Sequence, residues 1–142
     1  VATARSALEY AERYRLRDLT SLAHAVLAMG LRRQGDLASA RREADAALES
    51  ARAIGSKLHE AFALRELGAV ESAQQSPSTA RARLEASLRI FESLRAEHEV
   101  GRTCLEFAAL EPKPKERNRW QERAREIFTR LEAAGDLARL PA

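Results

Sequence analysis

The chain is short of the features that staple, anchor or export a protein. Cys104 is the only cysteine in 142 residues, so no disulfide can close within the chain, which fits a reducing compartment and makes the cytoplasm the expected location. No apolar run approaches the length of a membrane span, and no basic start with an apolar stretch and cleavage site marks an exported precursor. Strand signals are missing as well: no segment of four to eight residues alternates cleanly with β-branched enrichment. Lysine is scarce. Of 24 basic residues only Lys57, Lys113 and Lys115 are lysine and 21 are arginine, a bias that points to a GC-rich bacterial genome. There is no initiating Met either; Val1 leads straight into a helical pattern, so a piece of a longer protein is expected.

What is present is helical periodicity. With 45% hydrophobic and 32% charged residues the chain can form one globular or solenoid unit. Apolar residues recur at three- and four-residue spacing from Ala2 to Leu140, broken by turn signals at Gly35-Asp36, Gly55-Ser56, Ser76-Pro77 and Lys113-Pro114. About seven helices are predicted, over 2–15, 19–33, 37–53, 57–74, 77–94, 97–111 and 115–133, with Asp136 opening an eighth. Asp36, Ser56 and Ser76 stand where a side-chain oxygen caps the next helix, and Pro77 and Pro114 suit a first turn.

The pattern also repeats. Sliding the chain by forty residues aligns Leu27 with Leu67 and Phe107, Ala28 with Gly68 and Ala108, Ala40 with Ala80, and Leu48 with Leu88. Ala4, Ala7, Leu8 and Ala11 fall under Ala44, Ala47, Leu48 and Ala51, so the chain opens on the second helix of a repeat. Toward the end the register slips by about three, where IFESL at 90–94 recurs as IFTRL at 127–131. Such a period is the mark of stacked helical hairpins, each burying its apolar face against its neighbours. The expected units are a partial repeat at 1–17 and full ones at 18–56, 57–96 and 97–134, forming a single domain over 1–142. Small residues at Ala28, Gly68, Ala108, Ala40, Ala80, Ala47 and Ser87 mark where paired helices cross closely, because a large side chain there would hold the axes apart.

These features resemble the tetratricopeptide repeat. The first helices read His24-Ala-Val-Leu27-Ala28, Leu64-Arg-Glu-Leu67-Gly68 and Cys104-Leu-Glu-Phe107-Ala108, and a Gly35-Asp36 turn precedes small Ala40 on a second helix. The period of forty exceeds the 34 of the short family form, aromatic landmarks are mostly absent and only one turn keeps Gly-Asp; HEAT or armadillo arrays share such a period. The longer variant is similar to arrays in large bacterial transcription and signalling regulators. The resemblance implies an all-α solenoid, a right-handed superhelix whose first helices line a concave groove. The groove positions it implies include Leu22, Ala25, Met29, Arg32 and Arg33, then Phe62, Arg65, Ala69 and Ser72, then Arg102, Leu105 and Ala109. Their mixture of apolar and guanidinium groups would suit a peptide or domain with apolar anchors and acidic groups. Met29, Ala69 and Ala109 stand where chaperone-tail-binding members carry Asn, so no carboxylate clamp is expected.

Catalytic patterns are absent from the sequence. His59-Glu60 and His98-Glu99 lack the second histidine of a zinc-binding helix face and are read as solvated or turn residues. His24 falls at a core position, and the GLRRQGD stretch at 30–36 lacks the Lys and Ser/Thr of a phosphate loop. Cys104 has no histidine near it in the repeat frame and reads as an inert core thiol. No cofactor, metal or enzymatic activity is expected. The segment from Lys113 to Arg130 has seven basic and three acidic residues around Trp120, a composition that holds phosphates in some proteins. Its Arg119–Glu122 and Glu126–Arg130 spacings fit a solvated helix face better, with Trp120 sealing the core in the frame of Ala40 and Ala80, so nucleic acid is not the expected partner. Unpaired terminal helices make self-association a further expectation. The expected role is an interaction or sensory scaffold in a bacterial regulator. The alternatives are a non-catalytic fragment of a cyclase, kinase or ATPase, and a small-molecule-sensing array.

Overall fold

The computed structural model describes residues 1–141, along which eight helices follow one another. They are α1 (Ala2–Arg13), α2 (Arg17–Arg33), α3 (Leu37–Ile54), α4 (Lys57–Ala73), α5 (Pro77–Ser93), α6 (Glu97–Leu110), α7 (Pro114–Arg130) and the short α8 (Ala134–Leu137). No strand occurs among the described residues. The eighth helix begins two residues before Asp136, and α1 and α7 end two and three residues earlier than their apolar pattern predicts.

The stops have a common cause. After α1, α2, α3, α4, α5 and α7 one residue takes a left-handed conformation: Arg15, Gly35, Gly55, Gln75, Arg95 and Glu132. At each, two backbone bonds close the helix end, as where Arg15 N–H donates to Glu12 O and Leu16 N–H to Ala11 O. The same pair recurs around Gly35, Gly55, Gln75, Arg95 and Glu132, satisfying carbonyls that the last turn would leave unpaired. Only two of the six positions are glycine, so four side chains bear the strain of positive φ. Replacing Arg15, Gln75, Arg95 and Glu132 together by Gly is expected to stabilise the chain by roughly 0.5–1 kcal/mol per site, read as a higher urea midpoint. An unchanged or lower midpoint would mean that the side chains, not the strain, dominate at these turns.

Helix starts are less uniform. Asp36 accepts a hydrogen bond from Ser39 N–H at 3.0 Å and Ser56 accepts one from His59 N–H at 3.3 Å, as their sequence positions imply. The Ser76 side chain does not cap α5. Pro77 occupies the first turn there, and the Thr79 hydroxyl donates to Ser76 O at 3.1 Å. A proline at this position removes one of the donors that a cap would satisfy.

Helices pack in consecutive pairs, α2 on α3, α4 on α5 and α6 on α7, with α1 laid on α2 as the second helix of a preceding pair would be. The first helices also approach one another closely, α2 on α4 and α4 on α6, whereas the backbones of α3, α5 and α7 stand farther apart. The stack therefore closes on the side of the first helices and opens on the side of the second, which makes it a tetratricopeptide-like α-solenoid with a concave face formed by α2, α4 and α6.

Close crossing explains the small residues. Ala28, Ala40, Ala47 and Ala80 are fully buried, as is Ser87, and Ala108 is nearly so. At one crossing the Ser21 hydroxyl donates to Ala47 O at 3.0 Å, and in the next hairpin the roles swap, with the Ser87 hydroxyl donating to Ala61 O at 2.8 Å. Position 61 lies forty after 21 and position 87 forty after 47, so the same contact is made from the opposite helix. In the third hairpin the pair is Gly101 and Ala124, both buried. The slip of three arises at the end of α6, which has 14 residues where α2 and α4 have 17. There Glu111 and Lys113 take the extended conformation that a following proline imposes. Arg117 closes this turn by donating to Glu111 O and Pro112 O. Because of the shortening, Phe128 takes the place that Phe91 holds one repeat earlier, both fully buried, and Trp120 falls under Arg83 and not under Ala80.

Candidate functional site

The concave face carries a shallow cavity of about 130 Å³ between α2, α4 and α6. Six of the groove residues inferred from the sequence, Leu22, Ala25, Met29, Phe62, Arg65 and Arg102, come together around it, with Val26 and Glu66. Helical spacing places them: Leu22, Ala25, Val26 and Met29 form one face of α2, and Phe62, Arg65 and Glu66 the facing row on α4. Leu22 and Val26 are 38% and 43% exposed, two large apolar groups left in water on the inner face. Arg33, Ser72 and Leu105 lie outside this cavity; Arg33 is exposed, Ser72 is half-buried at the end of α4, and Leu105 borders a second cavity toward Pro141.

The groove arginines are already engaged. Arg32 Nε donates to Glu66 at 2.6 Å, with the Glu106 carboxylate 3.8 Å from the same guanidinium. Arg65 donates to the Glu99 carboxylate at 2.5 Å, and its guanidinium lies over the Phe62 and Phe91 rings at 5.4 and 5.2 Å. Arg102 Nε donates to Asp136 at 3.3 Å. Each of the three hydrogen-bonded pairs spans 34 residues and ties one first helix to the next. The cation is thus part of the stacking, and an incoming carboxylate would have to compete with one in place. Burial pushes the Glu106 carboxyl up from its ordinary value, and Arg32 offsets this only in part while Glu66 adds to it. For Asp136 burial acts in the same direction, but the His98 hydrogen bond and the charges of Arg102 and His98 outweigh it and hold the carboxyl low.

Two histidines behave differently from one another. His24 is half-buried and pairs with Glu43 at 2.7 Å, the bonded interior histidine its position implies. His98 is not simply a solvated turn residue: its Nε2 lies 2.6 Å from Asp136 Oδ2, and its ring rests 5.7 Å from that of Phe128. The pair docks α8 against α6. Sequence reasoning missed this contact, together with Val26 and the acids at 66, 99, 106 and 136; the recurring 34-residue interval from arginine to acid was the available signal. Cys104 is fully buried, and burial raises its thiol to about 11, which leaves it protonated and unreactive at neutral pH.

Part of the basic stretch of α7 is engaged in the same way. Trp120 stacks on Phe107 with centroids 4.3 Å apart and planes within 10°, half-buried at the margin of the core. Arg123 pairs with Glu92 at 2.6 Å and Arg130 with Glu97 at 2.8 Å, while Arg125 donates to Pro141 O. At the other end of the stack, α1 leaves Tyr10 and Tyr14 more than half exposed, their rings 4.6 Å apart. Among the described residues no helix is long and apolar enough to cross a membrane.

No curated protein matches the chain. The tetratricopeptide repeat family model matches residues 18–93, more than half of the sequence and the two hairpins whose crossings and turns are most regular. With paired helices, small residues at each crossing and a concave face built by the first helices, the chain belongs to the tetratricopeptide repeat family.

Proposed function

We propose that the chain is the protein-interaction or sensory scaffold of a bacterial regulatory protein, holding a partner segment in the concave groove. Repeats of this family generally mediate protein–protein interaction or scaffolding and are typically non-catalytic. The observation that carries the reading to this groove is the exposure of Leu22 and Val26 at the cavity between α2 and α4. An apolar side chain of a partner entering there would cover both. Binding would then depend mainly on an apolar anchor, because Arg32, Arg65 and Arg102 are held by Glu66, Glu99 and Asp136. The bacterial setting is supported by the arginine-for-lysine bias alone.

The test is affinity capture with the 142-residue chain as bait, followed by calorimetry with the purified partner. Leu22→Glu with Val26→Glu places charge at the cavity mouth while leaving the ion pairs and the core intact. A loss of affinity of about tenfold or more is expected, since each anchor of this kind contributes on the order of 1.5–3 kcal/mol when buried. Equal affinity of both proteins, with unchanged circular dichroism, would move the binding site away from the groove. Phe62 and Arg65 are poorer choices for this purpose, because their packing on Phe91 is part of the fold.

A further inference from the structure

The open side of the stack holds two clefts between consecutive second helices. The first, about 680 Å³, lies between α3 and α5 with α4 beneath, and the second, about 620 Å³, between α5 and α7 with α6 beneath. They are the same site in successive repeats: positions 52 and 57 correspond to 92 and 97 at an interval of forty, and 86, 89, 90 and 93 correspond to 123, 126, 127 and 130 after the slip of three. The two clefts share their floor, Ile90 in one and Ile127 in the other.

Their charges do not correspond. In the second cleft Glu92 meets Arg123 at 2.6 Å, which joins α5 to α7, and Glu97 meets Arg130 at 2.8 Å, which ties α6 to α7. In the first, the positions of those two acids hold Arg52 and Lys57, and the positions of their arginine partners hold Ala86 and Ser93. The position of Glu126 holds Arg89, which has no ion-pair partner among the described residues. Glu60, engaged by Arg52 at 3.3 Å and Lys57 at 2.8 Å, is the one acid in this lining, against the cations Arg52, Lys57, Arg83 and Arg89. Leu64, Ala82, Ala86, Ile90 and Leu94 supply the apolar surface between them, and Leu94 is 46% exposed. The first cleft therefore has the shape of the second without the acids that close it.

We propose that the cleft between α3 and α5 is a separate docking site for an acidic, amphipathic helix of a partner protein. Its carboxylates face Arg52, Lys57 and Arg89, the cations that stand where the neighbouring cleft has Glu92, Glu97 and Glu126. Charge complementarity identifies this occupant, and the length of the lining sets its form: residues from Thr79 to Leu94 border the trough along α5 and its end, roughly 22 Å at 1.5 Å per residue, which matches about four turns of an incoming helix. This site is distinct from the concave groove. On α4 the cleft is lined by Lys57, Glu60 and Leu64 and the groove by Phe62, Arg65 and Glu66, sets that lie on roughly opposite faces of the helix at 3.6 residues per turn.

The probe is a fluorescein-labelled peptide of about 15 residues with Leu at i, i+3, i+4 and i+7 and Glu on the flanking positions. Titrated against the whole chain at low salt, it is expected to bind with increased anisotropy, to gain helical circular dichroism, and to weaken as salt rises. Arg52→Glu with Arg89→Glu, both at exposed positions, is expected to weaken binding tenfold or more with the melting curve retained, while Leu22→Glu with Val26→Glu leaves it unchanged. Equal binding by the charge reversal overturns the proposal. So does equal binding by the same peptide with Lys in place of Glu, or by a scrambled acidic peptide without the Leu spacing. Sedimentation of the chain alone distinguishes a second copy as the occupant: a dimer that the charge reversal dissociates would also overturn it. Failure of the groove substitutions to release a captured partner bears on the groove reading and leaves this one standing.

Discussion

Phe91→Ala is expected to lower the stability of the chain by about 3–5 kcal/mol, the range for truncating a fully buried aromatic side chain. Phe91 has no exposed surface and belongs to a cluster with Ala61, Val100, Cys104 and Phe128 that spans α4, α5, α6 and α7. Its ring meets Phe62 edge-on at 5.4 Å and lies beneath the Arg65 guanidinium at 5.2 Å. Truncation therefore removes an aromatic contact, a cation–π contact and the packing that joins the second hairpin to the third. In a stacked array the loss at one junction also uncouples the repeats on either side. A urea melt followed by far-ultraviolet circular dichroism should show a lower midpoint and a broadened transition. Leu94→Ala, just past the end of the same helix at a half-exposed position, serves as the control and is expected to fall within about 1 kcal/mol of the parent. Similar melts for the two variants would show that the junction is held by something other than its aromatic centre.

The parts of the fold that were legible in the sequence are those fixed by excluded volume. Two helices can cross closely only over small side chains, so Ala28, Gly68 and Ala108, with Ala40 and Ala80 opposite, announced both the pairing and the period. Asp36 and Ser56 announced helix starts because a single side-chain oxygen does the capping locally. Helix ends were legible to within one residue where glycine accompanies the left-handed turn, at Gly35 and Gly55, and also before Gln75 and Arg95. The same turn at Arg15 and Glu132 carries no local signature, and the apolar periodicity runs past it. Trp120 was read as sealing the core, and it lies half-buried at the core's margin, but the reading went through an interval of forty that the shortened α6 had already broken.

The groove was legible in position and not in charge. Helical spacing puts Leu22, Met29, Phe62, Arg65 and Arg102 around one cavity, and the resemblance to the repeat family named that face. Whether an arginine on it is available to a partner depends on which acid the next first helix brings beside it, a contact between residues 34 apart that no single helix face reveals. Three guanidinium groups read as ligands for an acidic partner thus hold successive helices together. Of the cations around Ile90, by contrast, Arg52, Arg83 and Arg89 sit on second helices, where the stack opens and the pairing of Glu92 with Arg123 between α5 and α7 has no counterpart between α3 and α5.

Gly101→Leu gives the sharpest test of close crossing, with an expected loss of about 3 kcal/mol, at the upper end of the usual cost of overpacking a core. Intrinsic propensity works the other way, since replacing a mid-helix glycine by a good helix former gains about 0.8–1 kcal/mol where the side chain is free. At this position it is not free. A Cβ on Gly101 would stand 2.6 Å from Phe128 Cε1 and 2.9 Å from Cζ, and the ring of Phe128 is itself fully buried. The smaller Gly101→Ala should already destabilise, and pairing it with Phe128→Leu should recover part of that loss, giving a coupling energy of about 1 kcal/mol or more in a double-mutant cycle. Gly135 supplies the opposite case: nothing lies within 4 Å of its added Cβ and its φ is not positive, so Gly135→Ala should be neutral or stabilising. If thermal melts place Gly101→Ala and Gly135→Ala on the same side of the parent, helix propensity governs both sites. The crossing of α6 over α7 would then be looser than the buried Gly101 and Ala124 pair implies.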